Sequence, residues 1–354
     1  HIINISTMKI HPFISSIVIQ LICLNSISCQ CWDPGPFPPA LDSFYTRINQ
    51  AELFITDNNL NAAIKSYVKA SAFRPLDYYD RVNLLECYLQ SERMPEAVSV
   101  IIQMAEDQFP LVFLNAKKYE DLINDETWIY YVQNNYNAPA PFPVRKIIRE
   151  TYDEFQKYVN FKKPDSAALV YHSIATKMKK MILEYDFPSE QALGYGGSMY
   201  QPSMYQPIFM FFVVVSDSTF NSDSVFQDQL LRGKMSPDLI ATYNKIKGMT
   251  DCGCAPFTDA IYFEYNNKLY SCTKEREIFV NKCRELLHMP LLADVKKLIA
   301  YQNNNPQFKF RIGYNAGSTY IKTENSGEPF DINNYSDQIE FVKELGQNDF
   351  HYSK

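Results

Sequence analysis

The sequence predicts a mainly α protein: helical hairpins first, then a second, mostly helical domain with a small β-hairpin near the C-terminus. Three observations carry that expectation. Positions between Leu41 and Phe109 recur at an offset of 34 residues with helical periodicity. Val144–Val159 and Ala167–Tyr185 set apolar residues three and four apart, the spacing that lines one face of a helix. Helix punctuation then appears at Pro188 and at Ser236-Pro237. The alternation expected of strands is read in Phe308–Lys322, around Asn315-Ala316-Gly317-Ser318.

At 354 residues the chain is long enough for two domains, each with its own core. A composition of 46% hydrophobic and 21% charged residues is that of a globular protein and not of a disordered one. The net charge of −6 comes from interspersed acidic and basic residues. No Lys/Arg cluster tracks a phosphate backbone, so nucleic-acid binding is not expected.

The chain opens with seven residues before Met8, read here as upstream sequence. From Met8 a short basic start (Lys9, His11) leads into the apolar run Phe13–Leu24 and then Asn25-Ser26-Ile27-Ser28-Cys29. That run is too short for a hydrocarbon core, which needs about 20 apolar residues, and has the pattern of a secretory signal peptide over residues 8–28. Ser26 and Ser28 stand at −3 and −1 before Cys29, so the segment resembles a lipobox. The resemblance implies that the Cys29 thiol carries a lipid and that the membrane is reached through that anchor alone. Ser26 departs from the lipobox, where leucine is commonest. The competing reading is a buried N-terminal helix. Residues 29–41, with Pro34, Pro36, Pro38 and Pro39, read as an extended tether.

Residues 42–133 carry the repeat. Ala51, Phe54, Leu60, Ala63 and Ile64 recur as Leu85, Tyr88, Met94, Ala97 and Val98. Ala63, Tyr67, Ala70 and Pro75 then supply the small, aromatic, small and proline positions of the tetratricopeptide period. Small residues let one helix close on the next, the aromatic fills the groove, and proline stops the second helix. The second copy is degenerate, with Ile101, Met104 and Phe109 at the last three positions. Asp57-Asn58-Asn59 and Gln90-Ser91-Glu92-Arg93 are the expected turns, and a helical cap follows around Ala116–Val132. Two repeats make only a short concave surface, since stacking more units is what extends it. The prolines of residues 134–143 forbid a helix and mark a linker.

In the second domain, residues 144–303, further helices are expected at Ser224–Leu231, Ser236–Lys247, Glu275–Leu287, Leu291–Tyr301 and Asp337–Leu345. The last of these falls in a C-terminal extension, residues 304–354. A loop at Gly194–Pro207 holds a tandem copy of Ser-Met-Tyr-Gln-Pro, and Ile208–Val215 is apolar throughout, strand and buried helix being equally compatible. The ordered blocks Glu184–Ser189, Leu230-Leu231-Arg232-Gly233-Lys234-Met235-Ser236-Pro237 and Val280–Leu291 resemble an uncharacterised bacterial family, domain of unknown function 6624, over residues 144–297. The resemblance implies a mostly helical domain and transfers no activity. Ser216 stands where that family often has histidine, and Asp153-Glu154-Phe155-Gln156-Lys157 where it often has Asp-Gln followed by Arg.

No metalloprotease, nucleophile-elbow, P-loop or dinucleotide motif is present, and beyond the leader the histidines are His172, His288 and His351. The one cluster with reactive chemistry is Cys252, Cys254, Cys272 and Cys283 with His288. Those donors suffice for tetrahedral zinc, although Cys-Gly-Cys is too tightly spaced for the familiar knuckles. In an oxidising compartment the same thiols form disulfides, and unpaired thiols are the third possibility. Tyr195, Tyr200, Tyr205 and Tyr243 would offer rings for glycan stacking, against a buried packing role. The functional expectation is an exported, lipid-anchored interaction protein of the cell envelope with a protein partner. The alternative is a hydrolytic or metal-dependent enzyme sited around Cys252–His288.

Overall fold

A computed structural model describes residues 32–134, 144–154, 167–188, 222–243, 262–310, 319–320 and 339–344, apart from isolated positions within those ranges. The protein is mainly α. Helices α1 (Pro39–Thr56), α2 (Leu60–Ser71), α3 (Tyr78–Gln90) and α4 (Met94–Glu106) form two hairpins. Residues 34 apart take matching places in them. Ala51 and Leu85, Ala63 and Ala97, Tyr67 and Ile101, and Ala70 and Met104 are all fully buried. Both turns fall where the sequence puts them, with Asn59 capping α2 by accepting from the Ala62 N–H.

Two 3₁₀ turns, Val112–Asn115 and Lys117–Tyr119, lead into short helices α5 (Glu120–Ile123) and α6 (Glu126–Asn134). Residues 144–154 are helical wherever described, and α7 spans Ala167–Tyr185, the bounds that the periodicity predicts. Helix α8 (Ser222–Leu231) follows. The linker's residues 135–143, the tandem repeat and Ile208–Val215 lie outside the described residues.

The chain divides into two compact units, and the division does not fall at the proline-rich linker. The larger unit is Pro34–Pro237 with Lys297–Arg311; the smaller contains Asp238–Lys296 and residues beyond Arg311. Helix α8 explains why residues 144–237 stay with the first hairpins. Gln227 donates to the Pro34 carbonyl at 2.8 Å, so the supposed tether is packed by Pro34 and α1 begins at Pro39. Gly233, at φ 70°, has Leu41 Cδ1 only 3.3 Å from where a Cβ would stand. Gln229 accepts from the Phe187 N–H at 2.8 Å, which ties the end of α7 to α8.

The smaller unit holds a sheet of order β3-β1-β2-β4, made by β1 (Tyr262–Tyr265), β2 (Lys268–Cys272), β3 (Thr319–Tyr320) and β4 (Ile339–Glu344). Strands β1 and β2 form an antiparallel hairpin, β4 joins β2 antiparallel, and β3 lies parallel to β1. Two expectations change here. Residues 339–344 are strand and not helix, because Ile339 and Phe341 alternate and pair across from Cys272 and Tyr270. The expected hairpin has its turn, 315–318, outside the described residues; its flank Phe308–Phe310 is not strand, and Thr319–Tyr320 pairs with β1.

Helices α9 (Lys274–Leu286) and α10 (Leu292–Asn304) complete the described chain, α10 passing from the smaller unit to the larger at Lys297. Thr273 caps α9, and the Asn281 side chain accepts from the Leu292 N–H at 2.9 Å, satisfying an orphan donor at the start of α10. Arg284, buried on α9, donates to the Pro290 carbonyl and closes the corner between the two helices.

Helices α1, α3, α8 and α9 share an ending. A bond from the second residue past the cap returns five positions, as from Asn59 to Phe54, Arg93 to Tyr88, Lys234 to Gln229 and Met289 to Arg284. The pivot takes positive φ in each: Asn58, Glu92, Gly233 and His288. Only one pivot is glycine, and a non-glycine residue there costs about 1–2 kcal/mol. Glu92→Gly is expected to raise stability by about 0.5–1 kcal/mol in chemical denaturation, the added unfolded-state entropy of glycine offsetting part of the gain. A destabilised variant would refute this account of the turn.

Asp186, at φ 62° just past α7, is paired with Arg232 at 2.9 Å and Lys234 at 3.4 Å. Burial pushes its carboxyl up, but the two cations outweigh that and hold it below the ordinary carboxylate range. The folded form therefore favours the charged state. Its contribution is present above the unfolded-state pKa and is lost as pH falls through the lower folded value. Asp186→Asn, which keeps the backbone conformation, should be less stable than wild type at about pH 7. The difference should shrink on acidification below about pH 4 in urea titrations, and a pH-independent difference would sink the assignment.

Candidate functional site

The most specific polar arrangement among the described residues is built around Asn83, in the middle of α3. Its Oδ1 accepts from the Lys309 N–H at 2.7 Å, and its Nδ2 donates to the Lys309 carbonyl at 2.9 Å. Both backbone groups of one residue are thus taken by one side-chain amide, as a neighbouring strand would take them. Nδ2 also donates to the Tyr67 hydroxyl at 3.3 Å, so three of the four hydrogen-bonding capacities of the amide are used.

The surroundings are buried and polar. Glu52, Asp80 and Asn83 are fully buried, with Glu86 close behind. Burial first, and then the charges of Glu52 and Asp80, hold the Tyr67 phenol well above the usual tyrosine range. Glu86 accepts from Lys118 Nζ at 2.6 Å and from the Tyr119 hydroxyl, whose phenol is raised by burial and then by that bond. Cys87, the free cysteine among the described residues, is buried there too. Desolvation, followed by Glu86, pushes its thiol far up, which removes it as a nucleophile.

The segment held by Asn83 follows a turn, in which the Phe308 N–H returns to the Asn305 carbonyl at 3.1 Å, and is aromatic. Phe308 and Phe310 are buried on either side of Lys309, whose side chain is exposed. Their rings are parallel with centroids 6.2 Å apart, and Tyr301 lies against both at 5.9 and 6.1 Å. The Phe310 N–H donates to Gln302 at 3.1 Å. Farther along α10 toward its start, Tyr301 donates to Asn58 at 3.2 Å and Lys297 pairs with Asp57 at 2.7 Å, both on the α1–α2 turn.

A signal for these residues exists in the sequence. Arg47-Ile48-Asn49 with Glu52 recurs as Arg81-Val82-Asn83 with Glu86, at the same offset as the apolar pairs. Comparing only small and apolar positions passes over this polar copy.

The cysteine cluster fares differently. Cys29, Cys252 and Cys254 lie outside the described residues, as does the side chain of Cys272, whose backbone ends β2. Cys283 is buried on α9 and is disulfide-bonded. His288 is the positive-φ pivot that ends α9, a place set by backbone geometry. Among the described residues no three of His, Cys, Asp or Glu converge on a point where a metal would sit. Tyr243, offered as a glycan-stacking ring, is fully buried and presents no face; Tyr195, Tyr200 and Tyr205 lie outside the described residues. No helix among the described residues is long and apolar enough to cross a membrane.

No protein-family model matches the chain, and neither a curated protein nor a solved structure does.

Proposed function

We propose that this chain is an exported, lipid-anchored interaction protein whose tetratricopeptide-like hairpins hold extended peptide segments by their backbone. The observation that carries the reading is the double bond pattern between Asn83 and the N–H and C=O of Lys309. A helix side chain that takes both groups of a residue reads an extended chain whatever its side chains are. The buried rings on either side of Lys309 add the apolar anchors that give such a contact its strength.

Export is supported by the leader in residues 8–28 and by the oxidised state of Cys283, since disulfides persist outside the reducing cytosol. The same disulfide removes one sulfur from the donor set that a zinc-dependent enzyme around Cys252–His288 would need. Cys29→Ala tests the anchor. The variant should move from the membrane fraction to the soluble envelope fraction, and unchanged membrane retention would refute lipidation. In the same preparations, once the chain is unfolded without reductant, the free Cys87 should alkylate and Cys283 should not until reductant is added. Alkylation of Cys283 in the unfolded chain without reductant would count against an oxidising location.

A further inference from the structure

Of the eight cysteines in the chain, Cys283 is the one that is fully buried on α9 and disulfide-bonded, so another cysteine holds its sulfur. Cys87 is free. Cys272, the nearest in sequence, ends β2 just before Thr273, the cap of α9. From Lys274 to Cys283 the helix rises about 13 Å, at about 1.5 Å per residue. Two cysteines bridge only where their Cα atoms lie within about 7 Å, so Cys272 is out of reach. Cys23, Cys29, Cys31, Cys252 and Cys254 are left, all outside the described residues. Cleavage of residues 8–28 removes Cys23, and acylation takes the Cys29 thiol. On the export reading the candidates are therefore Cys31, Cys252 and Cys254.

The division of the chain favours Cys31. The smaller unit, to which α9 belongs, takes in the chain up to Asp33, whereas Pro34 already belongs to the larger. Trp32, next to Cys31, is half-buried. We infer that Cys31 is the partner of Cys283 and that their bond is a second link between the protein and its lipid. The two thiols lose two protons and two electrons to a disulfide-bearing oxidant of the envelope, whose own disulfide is reduced to two thiols. Cys31 is two residues from the acylated Cys29, a reach of about 7 Å. The protein is then joined to its anchor once through the peptide chain at Trp32-Asp33 and once through α9. A cut between those two residues leaves it on the membrane until the disulfide is reduced. The inference rests on the reading of residues 8–28 as a leader and Cys29 as the anchor. What it adds is a clasp that resists shedding by proteolysis and is opened by reductant.

The test uses the full chain taken from the envelope. Free thiols are alkylated after unfolding without reductant, and the non-reduced digest is mapped by mass spectrometry. The expected linkage joins the Cys31 peptide to the Cys283 peptide, a readout that needs no variant to fold. Cys31→Ser should free Cys283 to alkylate, whereas Cys252→Ser and Cys254→Ser should leave it blocked. In a second arm, the recognition sequence of a site-specific protease is inserted between Trp32 and Asp33, and membranes carrying the chain are cut. The otherwise wild-type chain should stay on the membrane after cutting and be lost from it when reductant is added. The Cys31→Ser variant should be lost on cutting alone.

A Cys283 peptide linked to Cys252 or Cys254 overturns the inference and leaves the anchor reading standing. Linkage to Cys29 overturns both, because that thiol then carries no lipid. A Cys283 that alkylates in the unfolded wild-type chain overturns the pairing together with the oxidising location. Loss from the membrane on cutting alone overturns the clasp. A chain that is off the membrane before any cut, yet carries the Cys31–Cys283 linkage, overturns the anchor and upholds the pairing.

Discussion

Arg284→Ala is expected to destabilise the smaller unit by about 3–5 kcal/mol, the range for emptying a large buried site while orphaning a buried acceptor. Arg284 is the largest fully buried side chain among the described residues, and its Nε donates to the Pro290 carbonyl at the α9–α10 corner. Removing it leaves that carbonyl without its donor and empties the space of a fully buried side chain. Arg284→Met separates the two effects, because it keeps most of the volume and drops only the hydrogen bonds. It should cost roughly half as much. Urea denaturation followed by tertiary-structure signals provides the measurement, and a loss below about 1 kcal/mol for the alanine variant would show that the corner is held by something else.

Phe308→Ala carries the second large effect. A fully buried ring is worth about 3–5 kcal/mol, comparable with what a short docked segment can retain in total. The loss should therefore appear as release of residues 305–310 and not as unfolding of the hairpins. In hydrogen exchange the Lys309 and Phe310 amides should lose protection, while amides around Ala63 and Ala97, in the cores of α2 and α4, keep theirs. Equal loss at both places would mean that the segment is structural core.

Much of the helical architecture is legible in the sequence because it is written at short range. The α7 bounds follow from periodicity and Pro188, and the hairpin turns follow from an offset that marks the same packing position twice. Helix endings were harder. Three of the four pivots described above are Asn58, Glu92 and His288, and a search for glycine sees only Gly233. The sheet was harder still. Residues 339–344 contain apolar positions compatible with either period, and only pairing with β2 decides between them. Strand β2 drew attention for its cysteine, which obscured the alternation of its neighbours.

The candidate site was half legible. The recurring Asn and Glu on α1 and α3 can be read from one sequence by aligning polar as well as apolar positions. The ligand of Asn83 cannot, since Lys309 stands 226 residues away and no local pattern in Gln307–Phe310 announces where it will dock. The cysteine cluster was open between disulfides, free thiols and zinc ligands, because spacing alone does not distinguish thiolate ligands from oxidised pairs; Cys283 is disulfide-bonded.

That separation of 226 residues also sets an order of events during synthesis. Helices α1 to α4 make their contacts with near neighbours and are able to pack as soon as they leave the ribosome, whereas the piece that covers their polar seam is translated only after α7 to α10. Asn83 and Tyr67 are therefore made long before the backbone group that Asn83 holds, so the hairpins must be able to form without it.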